Sequence, residues 1–383
     1  MISETINIFF QDATFLAPWF AASFILSVAT TFFVRKFAPR FGLVDIPVAP
    51  KKLHDKSIPL FGGLAIYFSI FLVVLFLLLF SKALTSGEIG SYHYLGFFLG
   101  GLILMIGGFL DDKYTLPPKF AIIAPTLAAL TAVLFGIQVE KLTNPLGGIF
   151  YLTAWQSDVL VFVWLMVIMF TTKFLDGLDG LATGVSSIGA IMIMALALTA
   201  AYFQPDVALL AVISLGALLG FLIFNFNPAS IFLGEAGSTF VGFLIGTLAV
   251  ISGGKLATAL LVVGIPLLDV IFVVTRRAIR YGWRAAVKGD RTHLHHRLLA
   301  VGFSEKKVVL LYYVVAGVFG TLTLFLQSKE KLIALGLLGL LAVVAAFALT
   351  PHPNPLPLFD SAQSGLRNRR PPRGSLDGKN VKV

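Results

Sequence analysis

Eleven long apolar stretches, separated by short polar connections, take up nearly all of this 383-residue chain. They fall at about residues 13–34, 59–80, 94–110, 120–138, 155–172, 180–202, 206–225, 232–251, 256–275, 308–326 and 332–350. Each approaches the roughly 20 residues that carry a helix across a bilayer. The pattern predicts an all-α, polytopic membrane protein with about eleven transmembrane helices. Composition agrees: 57% of residues are hydrophobic and 13% charged, against about 25% charged in a soluble globular protein. From Pro351 onward the apolar runs stop, and Pro, Gly, Ser and Arg dominate. The expected division is a transmembrane domain over 1–350 and a disordered basic cytoplasmic tail over 351–383 that binds lipid surfaces weakly. There is no internal repeat of the kind that builds transporters from duplicated halves.

Charge orients the spans. With the N-terminus outside, 24 of the 29 Lys and Arg residues fall in inner connections and the tail. This positive-inside bias predicts N-out, C-in. Contact with anionic lipid accounts for part of the same basic character. The absence of cysteine excludes disulfides, zinc–thiolate sites and iron–sulfur clusters. Glu4 and Asp12 precede or open the first apolar stretch without a basic leader, so that stretch is expected to be a retained anchor.

The chemically useful polar residues share the predicted inner side. Carboxylates near a membrane are costly and need a partner or a metal. Asp111 and Asp112 end the third apolar stretch, and paired carboxylates suit Mg²⁺, a hard ion that takes oxygen ligands. Two acids at a helix C-terminus also oppose its dipole, which favours a use other than solvation. In Lys173-Phe-Leu-Asp176-Gly-Leu-Asp179-Gly-Leu-Ala-Thr183, a helix would place Asp176, Asp179 and Thr183 on one face. The plain alternative is a capped turn, which uses one Asp but not both. Asn225-Phe-Asn227-Pro228 leads into Gly234-Glu235-Ala-Gly237-Ser238, where a carboxylate between glycines can reach a metal; a tight turn is the alternative. In Asp290-Arg291-Thr-His293-Leu-His295-His296-Arg297, a helix would set His293, His296 and Arg297 together. No cysteine or spaced fourth ligand supports zinc there, and His with Arg suits anionic oxygens. Asp269, midway along the ninth stretch, is either functional or bonded to a neighbouring helix.

Taken in order, these motifs resemble the polyprenyl-phosphate N-acetylhexosamine-1-phosphate transferases. That family includes the bacterial enzymes that start O-antigen and wall teichoic acid, and the phospho-N-acetylmuramoyl-pentapeptide transferase of peptidoglycan synthesis. The resemblance covers about residues 10–345. It rests on Lys51-Lys52-x-His54 with Pro59-x-x-Gly62-Gly63-Leu64, Gly108-x-x-Asp111-Asp112, Asp176-Gly-x-Asp179-Gly-Leu, Pro228-Ala-x-Ile-Phe-x-Gly234-x-x-Gly237-Ser238, and Asp290-Arg291-x-His293-x-His295-His296-Arg297-Leu298. The His-x-His-His spacing is similar to the O-antigen and teichoic-acid starters, so a UDP-N-acetylglucosamine donor is expected ahead of the muramoyl-pentapeptide one.

The resemblance implies transfer of a sugar-1-phosphate to undecaprenyl or another polyprenyl phosphate, with release of UMP, on the cytoplasmic face of the inner membrane. It implies Mg²⁺, with Mn²⁺ as a substitute, held by Asp112 and Glu235. Asp111, Asp112, Asp176 and Asp179 are the expected catalytic set, with Asp111 near the lipid phosphate as a base. Lys52, His54, Lys173, Asn225, Arg291, His293, His295, His296 and Arg297 are the expected substrate-binding set. Direct attack by the lipid phosphate and a covalent phospho-Asp route both stay open. The rival readings are a membrane lipid transporter and a non-catalytic relative. A homodimer is compatible with the sequence, and a nucleic-acid partner is not expected. The chain departs from the family pattern at Glu235 (usually Asp), Lys173 (commonly Asn), Leu60 (commonly Arg) and Pro125 (commonly Gln).

Overall fold

A computed structural model describes residues 2–46, 57–87, 89–144, 147–199, 202–253, 256–281 and 293–348. The expected tail lies outside the described residues. So do Lys51, Lys52, His54, Asp290 and Arg291.

The described chain is predominantly helical. Its helices are α1 (Ile2–Phe37), α2 (Gly63–Phe80), α3 (Ser91–Tyr114), α4 (Pro118–Ala121), α5 (Ile123–Leu134), α6 (Ala154–Leu175), α7 (Leu181–Ala197), α8 (Pro205–Asn225), α9 (Gly234–Ile251), α10 (Leu256–Tyr281), α11 (Leu294–Ala300), α12 (Glu305–Phe325) and α13 (Ser328–Ala348). Each expected apolar stretch falls mainly on one helix, except 120–138, which is divided between α4 and α5 and runs past the end of α5. Eight helices among the described residues are long and apolar enough to cross a membrane, and α7 and the α4–α5 segment are shorter apolar helices. The chain is therefore a multi-pass membrane protein. Helix is what such a sequence must form, because backbone N–H and C=O groups find no partner in lipid.

The bundle is built around α8 and α9, which are buried nearly all round, whereas little of α1 from Thr14 to Phe37 is buried. α1 and α7 flank α8; α3 and α6 flank α9; α10 packs against α7, α12 and α13. An aromatic cluster fills the α2–α3–α9 junction. Phe97 stacks on Phe243 with centroids 5.7 Å apart, and Tyr67 meets Phe240 edge-on at 5.4 Å. Two polar side chains bond backbone across helices: Ser27 Oγ donates to Ala217 O at 2.6 Å, and Trp164 Nε1 to Gly246 O at 3.0 Å. Small residues set how closely the helices approach, as is usual between membrane helices. A Cβ on Gly63 would run into the backbone of Gly237, so α2 and α9 touch main chain to main chain.

Two short antiparallel pairs complete the fold. β1 (Val44–Asp45) pairs with β2 (Ile58–Pro59), and β3 (Lys141–Thr143) with β4 (Ile149–Tyr151). The segment after β2 docks onto the start of α9. Phe232 N–H donates to Pro59 O, Gly62 N–H to Phe232 O and Gly63 N–H to Leu233 O, at 2.9–3.1 Å. The Pro59-x-x-Gly62-Gly63 motif thus works through its backbone, fixing the loop that presents Glu235.

Candidate active site

The C-terminal ends of α3, α6 and α8 and the N-terminal ends of α7, α9 and α12 gather at one end of the bundle around a cavity of about 500 Å³. Its lining includes Asp45, Asp111, Asp112, Asp176, Asp179, Glu235 and Glu305, with Lys173 and His296 as basic groups. Seven carboxylates against two basic side chains leave a demand for cations.

Asp112 sits in the last turn of α3 and Glu235 in the first turn of α9. Asp112 Oδ1 accepts the Glu235 N–H at 2.9 Å, so the carboxylate caps the start of α9 from another helix, where orphan N–H groups and the positive dipole end favour it. The other oxygen, Oδ2, is buried and accepts no hydrogen bond. Gly234, at φ +73°, lies against it; a Cβ there would stand 2.5 Å from Oδ2 as well as being strained. Glu235 Oε2 is likewise buried without a hydrogen bond. The Lys173 ammonium approaches it to 2.6 Å, an ion pair outside hydrogen-bonding alignment. Asp111 accepts the Leu116 N–H at 2.8 Å through Oδ1, and its Oδ2 is 3.7 Å from the same ammonium.

The second acidic pair sits in a turn. Asp176 ends α6, and Gly180, at φ +78°, opens α7. The shared helix face expected for Asp176, Asp179 and Thr183 is therefore not formed: the left-handed glycine breaks the helix between them, and Thr183 instead donates to Asn225 Oδ1 at 2.9 Å. Enclosure in the cleft holds the Asp176 carboxyl well above the usual carboxylate range, and Glu235, Asp112 and Asp179 push it the same way. Asp179 Oδ2 accepts the Ala229 N–H at 2.8 Å and the Asn227 Nδ2 at 3.2 Å, tying the turn to the loop after α8. Asn227 also donates to Glu305. Asn225 borders the cavity, but its amide is already bonded, with Nδ2 donating to Ile231 O at 3.1 Å. It shapes the loop. Tyr313 on α12 donates to Gly180 O at 2.6 Å. Replacing Tyr313 with Phe is expected to lower stability by about 1 kcal/mol, the usual worth of one such bond, as a small drop in unfolding temperature in detergent.

The histidine motif is organised differently from a single helix face. His293 precedes α11 as its N-cap residue. Asp269 on α10 accepts from His293 Nδ1 at 2.8 Å and from the Leu294 N–H at 2.9 Å. The rings of Phe174, His293 and His295 stack, with successive centroids 5.4 and 5.8 Å apart. His295 is buried with its Nε2 against Gly177. Burial holds its pKa well below the usual histidine value, and His296 and His293 add to the effect. His296 alone of the three lines the cavity. Arg297 is buried with its guanidinium over the Phe272 ring, 5.6 Å from the centroid, and does not border the cavity.

The structure thus brings Asp111, Asp112, Lys173, Asp176, Asp179, Glu235 and His296 to one cavity. It sets His293, His295 and Arg297 behind that wall. Glu305 and Asp45 belong to the cavity and were missed from sequence. Glu305 opens the tenth apolar stretch on the predicted inner side, which was the available signal. For a divalent ion, the donors that fit are Asp112 Oδ2, buried without a hydrogen bond, and Glu235 Oε2, which faces the Lys173 ammonium. Among the described residues, no group of three or more His, Asp or Glu is arranged to hold a metal alone. Mg²⁺ takes one or two carboxylates and completes its shell with water and substrate phosphate. A second cavity, of about 700 Å³ and lined mainly by apolar side chains, lies against α10 and α13 beside Asp269.

A family model described as glycosyl transferase family 4 matches residues 94–253. A Bacillus subtilis (strain 168) protein named "Probable undecaprenyl-phosphate N-acetylglucosaminyl 1-phosphate transferase" is 30% identical, covering 84% of this chain and 88% of its own. A Mycolicibacterium smegmatis protein, decaprenyl-phosphate N-acetylglucosaminephosphotransferase, is 32% identical over 86% of each chain. The undecaprenyl-phosphate alpha-N-acetylglucosaminyl 1-phosphate transferase of Escherichia coli K12 is 28% identical over 78% of this chain and 80% of its own.

Proposed function

Because the chain belongs to glycosyl transferase family 4, we propose that it transfers N-acetylglucosamine-1-phosphate from UDP-N-acetylglucosamine to a polyprenyl phosphate and releases UMP. The observation that carries this reading is the convergence of carboxylates from α3, the α6–α7 turn and α9 on one cavity, with Asp112 Oδ2 buried without a hydrogen bond and Glu235 Oε2 met by the Lys173 ammonium. The names of three relatives agree on the transferred group, N-acetylglucosamine phosphate, and on a polyprenyl phosphate acceptor.

The site is placed on the cytoplasmic face of the inner membrane, with N-out, C-in topology. The positive-inside distribution of Lys and Arg supports that orientation. In the reaction, an oxygen of the lipid phosphate forms a bond to the β-phosphorus of the UDP-sugar. The bond from that phosphorus to the bridging oxygen breaks, and UMP leaves with its electron pair. The nucleophile is already anionic, so positioning and charge neutralisation matter more than deprotonation. Asp112 and Glu235 would hold Mg²⁺, which when bound neutralises the diphosphate and the charge that develops on UMP. Asp111 stands near the acceptor phosphate as a base for its remaining proton. Asp176 and Asp179 shape the nucleotide end, and His296 meets phosphate oxygen. Lys52, His54 and Arg291 are assigned to phosphate charge from their place in the motifs. The apolar groove beside Asp269 suits a prenyl chain.

The test is UMP release by full-length protein in detergent with undecaprenyl phosphate and Mg²⁺. UMP is expected with UDP-N-acetylglucosamine and not with UDP-N-acetylmuramoyl-pentapeptide, and EDTA should abolish it. UMP formed only with the pentapeptide donor would keep the chemistry and overturn the sugar. No UMP from folded protein with a panel of UDP-sugars would overturn the enzymatic reading.

A further inference from the structure

Lys173 is the only Lys or Arg among the described residues that line the acidic cavity. Its ammonium points at carboxylates, 2.6 Å from Glu235 Oε2 and 3.7 Å from Asp111 Oδ2. Its position is imposed by packing. Lys173 follows Thr172, whose hydroxyl folds back onto Ile168 O and Met169 O, and that turn of α6 lies directly against Gly242 of α9. A Cβ on Gly242 would stand 2.7 Å from Met169 Cα. The two helices that carry Lys173 and Glu235 are therefore locked at backbone contact. A cation in the last turn of α6 is also favoured by the helix dipole.

We propose that Lys173 is a built-in counter-cation that competes with the divalent ion for Glu235 and so sets the ion's affinity. The proposal rests on the reading that Asp112 and Glu235 hold that ion. Seven carboxylates around one cavity repel one another when no ion is bound. An ammonium fixed between Glu235 and Asp111 offsets part of that repulsion. It also opposes a second cation on the same oxygens by like-charge repulsion at short range. Lys173 is a positioning residue here, since it acts through Glu235. A lysine that served only the substrate phosphate, from a position away from Glu235, would leave metal binding in the absence of substrate nearly unchanged.

The experiment is calorimetric titration of Mn²⁺ into full-length protein in detergent, without substrate. Lys173→Gln removes the charge, Lys173→Met is a second neutral variant of similar length, and Lys173→Arg restores the charge. Gel filtration and a melting curve in EDTA establish that each is folded. The neutral variants are expected to bind Mn²⁺ at least about tenfold more tightly than the unaltered protein, given the strength of a unit charge removed at this range. Lys173→Arg should lie within about twofold of the unaltered value, since it keeps the charge. In a Glu235→Gln background, Lys173→Gln should change Mn²⁺ affinity much less. Unchanged or weaker binding in both neutral variants, with Glu235→Gln still weakening Mn²⁺, would overturn the counter-cation role alone. Mn²⁺ affinity insensitive to Glu235→Gln would overturn the metal reading beneath it.

Discussion

Asp112→Asn is expected to lower the rate of UMP release by more than about a hundredfold while leaving the protein at least as stable as before. Even partners of metal ligands are typically worth about 10–100-fold, so a ligand should exceed that. The two oxygens of Asp112 have separate tasks. Oδ1 accepts the Glu235 N–H at the start of α9, and Oδ2 is buried in the cavity without a donor. An asparagine keeps a carbonyl oxygen for the first task and puts an amide N–H₂ where the second oxygen stood, which donates and cannot hold a cation. It also removes one negative charge from a crowded acidic wall, so the unfolding temperature should hold or rise. Asp112→Ala separates the roles: it should lose activity as well and cost a further ~1 kcal/mol, the usual worth of a cap. Normal kcat and normal Mg²⁺ dependence in Asp112→Asn would reduce Asp112 to a structural cap.

The helices were legible in the chain because lipid leaves an apolar run little other choice. Helix ends were less so. α10 runs on to Tyr281, past the expected end at 275, through Arg276 and Arg277. Long basic side chains at a span's end can reach the interface and let the helix continue. The shift from a shared helix face to a turn at Asp176–Gly180 is a matter of one glycine at φ +78°. The residue types of the motif did not show which of its glycines would take that conformation.

Within the site, residue types were legible and pairings were not. Asp112 and Glu235 were readable as acids on one side of the membrane, but the bond from the Glu235 N–H to Asp112 spans 123 residues. Lys173 and Glu235 read as two separate departures from a family pattern, and they stand 2.6 Å apart. Glu305, which stands beside Lys306 and Lys307 in sequence, accepts from Asn227, which also donates to Asp179. Hydrophobic periodicity carries no information about such contacts, because they depend on which helix ends meet.

Asp269 shows the same limit and gives the largest expected effect on stability. An acid in the middle of a membrane helix invites a transport or catalytic reading. Each of its two oxygens instead accepts one hydrogen bond, from His293 and from the Leu294 N–H, and it stays 8% exposed. With the Asp269 oxygen as acceptor, His293 Nδ1 carries the hydrogen that faces it. Asp269→Ala would strand two buried donors, the His293 ring N–H and the Leu294 N–H, each worth about 1–3 kcal/mol when left unsatisfied. The expected loss is about 2–6 kcal/mol in unfolding free energy. Transfer activity should fall too, because α11 then loses the contact that sets His296 at the cavity. Asp269→Asn should be milder in stability, since its amide oxygen can still accept the Leu294 N–H. Its N–H₂ would then face His293 Nδ1, and the ring must move its hydrogen to Nε2 or turn away. Unfolding curves in detergent measure the first effect and UMP release the second. If Asp269→Ala unfolds at the same temperature as the unaltered protein, the Asp269–His293 contact does not anchor α11, and the placement of His296 must come from the packing of His295 alone.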